Sequence, residues 1–169
     1  MAWRWMILGA VAITSPVTAA QYLETVQSGV FQASGDHAAL AKRAAACLAR
    51  NAGAPGQTIQ TDADGGTAVG VALFSYNGLL AIPWSVKSVV TVETKDGRFR
   101  ITHSGIVQKQ GGPATHTARI FYGLDDSAQG GWLPVGMWKM SGHDKIERAA
   151  QTLSGRIAAC IQSADADNW

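Results

Sequence analysis

Residues 85–108 read SVKSVVTVETKDGRFRITHSGIVQ. Two runs of alternating β-branched and polar residues meet at Lys95-Asp96-Gly97-Arg98. Asp-Gly is a strong signal for a two-residue hairpin turn, because its residues supply positive φ angles. Ser85–Lys95 is predicted as a strand with Val86, Val90 and Val92 on one face. Arg98–Gln108 is predicted as its return, with Phe99, Ile101 and Val107 on the core side. A connection this short makes the pair antiparallel.

The same period of two extends outward from the hairpin. Thr67–Tyr76 is predicted as a strand in which Val69, Val71 and Leu73 share a face. The turn Asp62-Ala63-Asp64-Gly65-Gly66 joins it to a short strand over Gln57–Thr61, and Asn77-Gly78 signals the turn that follows it. Tyr22–Phe31 is a less regular leading strand. Between Gly111 and Gly142 the pattern becomes irregular and rich in Gly and Trp, with one further strand expected over Ala118–Leu124.

Two helices flank this meander. Asp36–Asn51, capped by Ser34 or Asp36 and ended by Gly53 and Pro55, aligns Leu40, Ala44, Cys47 and Leu48 on one stripe. His143–Ser163, capped by Ser141, aligns Ile146, Ala149, Ala150, Leu153, Ile157, Cys160 and Ile161. Helices at both ends and a meander between them predict an α+β fold of two layers, both helices packed on one face of an antiparallel sheet.

The first twenty residues belong to none of this. Arg4, the apolar stretch Trp5–Ile13 broken only by Gly9, Pro16, and the small residues Ala19 and Ala20 form a signal-peptide pattern. Cleavage after Ala19 or Ala20 is expected. The alternative is an anchor, but the stretch falls short of the ~20 apolar residues that span a bilayer. The chain is thus read as a signal peptide over 1–20 and a single α+β domain over 21–169, with the irregular segment 111–142 inside it. The expected location is periplasmic or secreted, with no stable membrane anchor after cleavage. Of the 47% apolar residues in the 169-residue chain, a share beyond its length sits in this leader, so the mature domain is of ordinary composition.

The two cysteines lie on the two helix stripes, near the helix C-termini. In an oxidising compartment such a pair is expected to form a Cys47–Cys160 disulfide, the alternative being two buried thiols. Neither cysteine opens a helix and there is no Cys-x-x-Cys, so a redox-active pair is not expected.

Alternation assigns Lys87, Thr91, Glu93, Arg98, Arg100, Thr102 and Ser104 to the sheet face the helices leave open. Arg98 and Arg100 stand two residues apart there. Two arginines suit a carboxylate or a phosphate, and equally suit Glu93 across the hairpin. Trp132 and Trp138, in the irregular segment, are candidate contact anchors, or residues that close one end of the core. His103 alternates with Ile101 and is placed on the core face as a satisfied buried imidazole. Asp36-His37 and His143-Asp144 sit at helix starts, where a carboxylate suits the dipole.

No catalytic pattern emerges. His37, His103, His116 and His143 have no metal-ligand spacing, and the Asp62-x-Asp64-Gly65 run lacks the Glu of a calcium loop, Leu73 standing in its place. No metal and no cofactor are therefore expected.

The string Lys95-Asp96-Gly97-Arg98-Phe99-Arg100 resembles the hairpin of a domain-of-unknown-function family of secreted bacterial proteins with a TATA-box-binding-protein-like (TBP-like) fold. The element order is similar over about residues 22–163. The resemblance implies a fold, and no catalytic residue comes with it. Nucleic acid is not expected as a partner, because the whole chain carries 14 Lys and Arg against 12 acids, a net charge of +2. The expected function is a non-catalytic binding module for an envelope or extracellular protein or a small ligand. The alternative is a hydrolase-like envelope enzyme with a dispersed site.

Overall fold

The structure, a computed structural model, describes residues 22–52, 58–78, 81–110, 131–137 and 142–163. Their elements are β1 (Thr25–Gln32), α1 (His37–Asn51), β2 (Gln60–Asp62), β3 (Thr67–Asn77), β4 (Pro83–Lys95), β5 (Arg98–Gln110), β6 (Leu133–Pro134) and α2 (His143–Ser163). The strands form one antiparallel sheet in the order β1-β5-β4-β3-β2. β6 pairs with β5 through Val107 and Gln108. Val107 has Lys87 of β4 on its other side, so β6 lies in line with β1. The link continues as Tyr22 bridges Gly136 and the Leu23 amide donates to the Val135 carbonyl at 2.8 Å.

Both helices cover one sheet face, as two amphipathic stripes require. α1 presents Leu40, Ala41, Ala44, Cys47 and Leu48 to the core. Asp36 is its cap, accepting from the Ala39 amide at 2.7 Å, an interaction worth about 1 kcal/mol. α2 buries Ile146, Ala150, Leu153, Ile157 and Ile161, together with Ser154 and Ala158, which lie beside the expected stripe. Its first turn is anchored by the Gly142 carbonyl, which accepts from Lys145 and Ile146. The expected cap Ser141, the helix stop at Gly53 and Pro55, the strand Ala118–Leu124 and residues 1–20 lie outside the described residues.

One core cluster sits under α1 and the C-terminal half of α2, around Leu48, Val90, Val92, Phe99, Ile101 and Ile157. A second sits under the N-terminal half of α2, around Leu23, Val26, Val86, Ile106, Val135 and Ile146. A disulfide joins Cys47 to Cys160 across the two helices, with the Cα atoms 5.8 Å apart. Among the described residues, no helix is long and apolar enough to cross a membrane.

Two strand expectations are corrected, on β5 and in the hairpin, and on β3 the face that Val69, Val71 and Leu73 share is the open one. On β3 the buried residues are Ala68, Gly70 and Ala72, while Val69 and Val71 are half-buried and Leu73 is exposed on the opposite face. A Cβ on Gly70 would stand 2.7 Å from Ile59 Cδ1 and at ordinary contact distance, 3.9 Å, from Leu48 Cδ1, so Ile59 fills the space that a side chain there would take. On β5 the alternation slips at Gly105, whose φ is +57°, within a register shift against Lys87 and Val89. This bulge buries Ile106 and Gln108 and leaves Val107 half-buried on the open face, where the simple alternation had Val107 in the core. In the hairpin, Gly97 alone takes a positive φ, +75°; Asp96 does not.

β1 begins at Thr25 rather than Tyr22, and β2 spans Gln60–Asp62 rather than Gln57–Thr61. β1 is an edge strand, and α2 blunts it. Gln151 Nε2 donates to the Gln27 carbonyl at 3.0 Å and Gln162 Nε2 to the Gln32 carbonyl at 2.9 Å. Carbonyls satisfied by a helix are not offered to a passing strand.

Candidate functional site

The β4–β5 hairpin is tied to the start of α1. The Ala33 amide donates to the Gly97 carbonyl at 3.1 Å, and the Gly97 amide to the Gly35 carbonyl at 3.0 Å. Asp96 turns its carboxylate to α1, where Oδ1 accepts from the His37 amide at 2.9 Å and lies 3.1 Å from the ring Nδ1. The Thr94 hydroxyl lies 2.8 Å from both the His37 and the Gly66 carbonyls. The hydrogen bond to Asp96 raises the His37 pKa above its usual value, and the same bond lowers that of Asp96. The ionised pair is therefore present between these two values. It fades as pH rises through the raised His37 value and as pH falls through the lowered Asp96 value.

On the open sheet face, cross-strand rows place Val30 beside Arg100 beside Glu93, and Gln32 beside Arg98 beside Lys95. Arg98 and Arg100 share this face, as alternation predicts. Arg100 is committed: its Nε and Nη2 donate to Glu93 Oε2 at 3.0 and 2.5 Å. Both partners are roughly half exposed, so the pair contributes about 0–1 kcal/mol. Arg98 and Lys95 have no acidic partner among the described residues. They line two adjacent depressions. One, of about 320 Å³, is bounded by Val30, Glu93 and Arg100. The other, of about 500 Å³, is bounded by His37, Gly65 and Asp96.

The far end of the open face carries a second cationic group. Lys87 Nζ lies 4.7 Å and Lys109 Nζ 5.0 Å from the centre of the Trp132 ring. Cation–π attraction holds both ammonium groups at one indole. Trp132 is thus set on the sheet face next to β6, half-buried, and Trp138 lies outside the described residues. Alternation alone did not find Lys109, because the bulge at Gly105 moves it to the open face. An isolated Gly inside a strand was the available signal.

His103 is in the core, as expected, fully buried between Ser88 Oγ and Ser154 Oγ, each 3.1 Å from a ring nitrogen. Burial pushes its pKa down to about 4. Among the described residues, no three His, Cys, Asp or Glu side chains come together as a metal ion would need.

No described protein family matches the chain, and no curated protein is similar to it. Two solved structures are similar in fold. A TBP-like protein from Parabacteroides distasonis aligns with a TM-score of 0.57 at 9% identity, over 82% of this chain and 92% of that one. A DUF4468 family protein from Bacteroides ovatus aligns with a TM-score of 0.49 at 18% identity, over 81% of this chain and 85% of that one. The former shows that the α+β architecture is the TBP-like one, the fold expected from the hairpin. A shared fold assigns no activity.

Proposed function

We propose that this TBP-like chain is an exported, non-catalytic binding module. In this reading it is periplasmic or secreted, and it takes an envelope or extracellular protein or a small ligand at the open face of the β4–β5 hairpin. The observation that carries this reading is the pair Lys95 and Arg98, two cations without an acidic partner among the described residues, standing between two depressions. Their neighbours Arg100 and His37 are each held by a carboxylate, which fixes the walls and leaves the two cations to a ligand.

The hydroxyl beside the His37–Asp96 pair tells against the hydrolase alternative. Thr94 Oγ1 is buried and faces two backbone carbonyls, so it is not held for attack by that imidazole. The Cys47–Cys160 bond supports export, since disulfides persist in oxidising compartments.

Two experiments test this reading. Crosslinking capture from envelope extracts, read by mass spectrometry, is expected to recover a ligand with the native protein. The Arg98→Ala, Arg100→Ala double variant is expected to lose it while melting within a few degrees of the native protein. Equal capture by both proteins would overturn the site, and loss of folding in the variant would make the arginines structural. N-terminal sequencing of the exported protein is expected to begin at Ala20 or Gln21. An intact Met1 in that fraction would refute cleavage.

A further inference from the structure

The whole open face is more cationic than the chain. Register places Lys87, Lys95, Arg98, Arg100 and Lys109 on it, against Glu93 and Asp62. Five cations against two acids leave a net +3, whereas the full chain carries +2. These charges are gathered at two ends. Lys95 and Arg98 stand at the hairpin, and Lys87 and Lys109 share the Trp132 ring. Lys87 and Lys95 stand eight positions apart on β4, a span of about 26 Å at ~3.3 Å per residue. That is several times the ~8 Å screening length at physiological salt. One anionic group cannot serve both ends.

The middle of the face has a different chemistry. Val71, Val89, Thr91, Thr102 and Ser104 lie there, Val89 being 38% exposed, while Leu73, 44% exposed, stands opposite Lys87 at the boundary. Arg100, the cation at its hairpin boundary, is already neutralised by Glu93, and Lys87 stands at its other boundary. A uniformly charged polymer would meet no free cation over this stretch. Duplex DNA, with one charge per ~1.7 Å of axis, is such a polymer, and so is a sulfated glycan.

From this pattern we infer that the open face docks a protein segment that is extended, acidic at both ends and uncharged, with apolar residues, in the middle. This rests on the binding role proposed for the hairpin and adds a second contact point to it. The acidic ends engage Lys95 with Arg98 and Lys87 with Lys109. The centre packs on Val71 and Val89. Two ammonium groups held at one indole repel each other, and an incoming carboxylate relieves that repulsion.

The test uses fluorescence anisotropy with the purified protein and a labelled synthetic peptide. That peptide has glutamates at both ends and alternating valine and threonine between them. A control of equal composition gathers all the glutamates at one end. The two-ended peptide is expected to bind about tenfold or more tighter than the control, and to weaken as salt rises. Lys87→Ala with Lys109→Ala, and separately Lys95→Ala with Arg98→Ala, are each expected to weaken it about tenfold. A lysine-ended peptide is expected not to bind, a result that needs no variant. Equal affinity for the two glutamate peptides would overturn the inference, as would tighter binding of heparin or of a DNA duplex. If the Arg98 variants lose binding and the Lys87, Lys109 variant does not, the second contact point fails and the hairpin site stands. If none of the variants loses binding, both fail.

Discussion

Replacing Cys47 and Cys160 together by alanine is expected to cost about 4–5 kcal/mol and to lower the melting midpoint by roughly 15 °C. The bond closes a loop with a sequence separation of 113 residues. In the chain-entropy account, cross-linking over such a length removes much of the freedom of the unfolded chain. The side chains themselves contribute little to the difference. Cys47 is 2% exposed and packs as a small hydrophobe, so alanine in its place leaves only a modest cavity. The effect should therefore appear mainly in the unfolded state, as a steeper denaturant dependence in the variant, whose unfolded chain exposes more surface. Reduction of the native protein should reproduce the shift, and thiol reagents should label neither cysteine before it. A loss below about 1 kcal/mol would refute the entropic account for this bond.

The position of that bond also explains why it links these two helices. α1 and α2 pack side by side on one sheet face, and each brings its cysteine in near its C-terminal end. Their spacing follows from the stripes alone. Leu40, Ala44, Cys47 and Leu48 on one helix and Ile146 to Ile161 on the other repeat at helical period, and such a repeat survives any local irregularity. That is why both helices and the pairing are legible in the sequence. Ser154 was not, because a hydroxyl on a core stripe is predicted only once its buried partner is known. His103 supplies that partner.

Strand faces were legible where the sheet is regular and misread where it is not. Val86, Val90 and Val92 share the core face because β4 keeps its phase throughout. On β3, Val69, Val71 and Leu73 share a face as alternation predicts, and that face is the open one. The small residues Ala68, Gly70 and Ala72 are interior, with Ile59 packed over Gly70, and the larger Val69, Val71 and Leu73 lie outside. On β5, one extra residue at Gly105 reverses the side chains beyond it, the sensitivity that a period of two always carries. The small interior residues of β3 and the bulge of β5 bear directly on the candidate site. They put valines at the centre of the open face and Lys109 at its end. The sequence therefore showed the two arginines and Lys87 on that face. It did not show the valines in the uncharged middle or Lys109 at its end, because which β3 face is buried depends on packing and the place of Lys109 on the bulge at Gly105.

Lowering the pH from 7 toward 4 is expected to cost about 3 kcal/mol through His103 alone. Its ring nitrogens face Ser88 and Ser154, and either hydroxyl can donate or accept, so the neutral imidazole is fully satisfied. The protonated ring would carry a charge into a site that is fully buried, with no carboxylate in contact among the described residues. Desolvation therefore sets its pKa at about 4 in the folded protein, against 6.5 for an ordinary histidine. The sign follows from proton counting. Between these values the unfolded chain binds a proton that the folded chain does not, so acid favours unfolding. The contribution is complete above pH 6.5, declines as pH falls, and is exhausted once pH passes below about 4. Surface carboxylates add their own slope, so the measurement is a difference. Denaturant unfolding across this range, compared with His103→Gln, should show the native protein losing about 3 kcal/mol more than the variant. Glutamine keeps a donor and an acceptor for the two serines and has no charge to gain. Parallel pH profiles for the two proteins, or an NMR titration of His103 near 6.5, would show that the ring is protonated inside the core and that burial does not govern it.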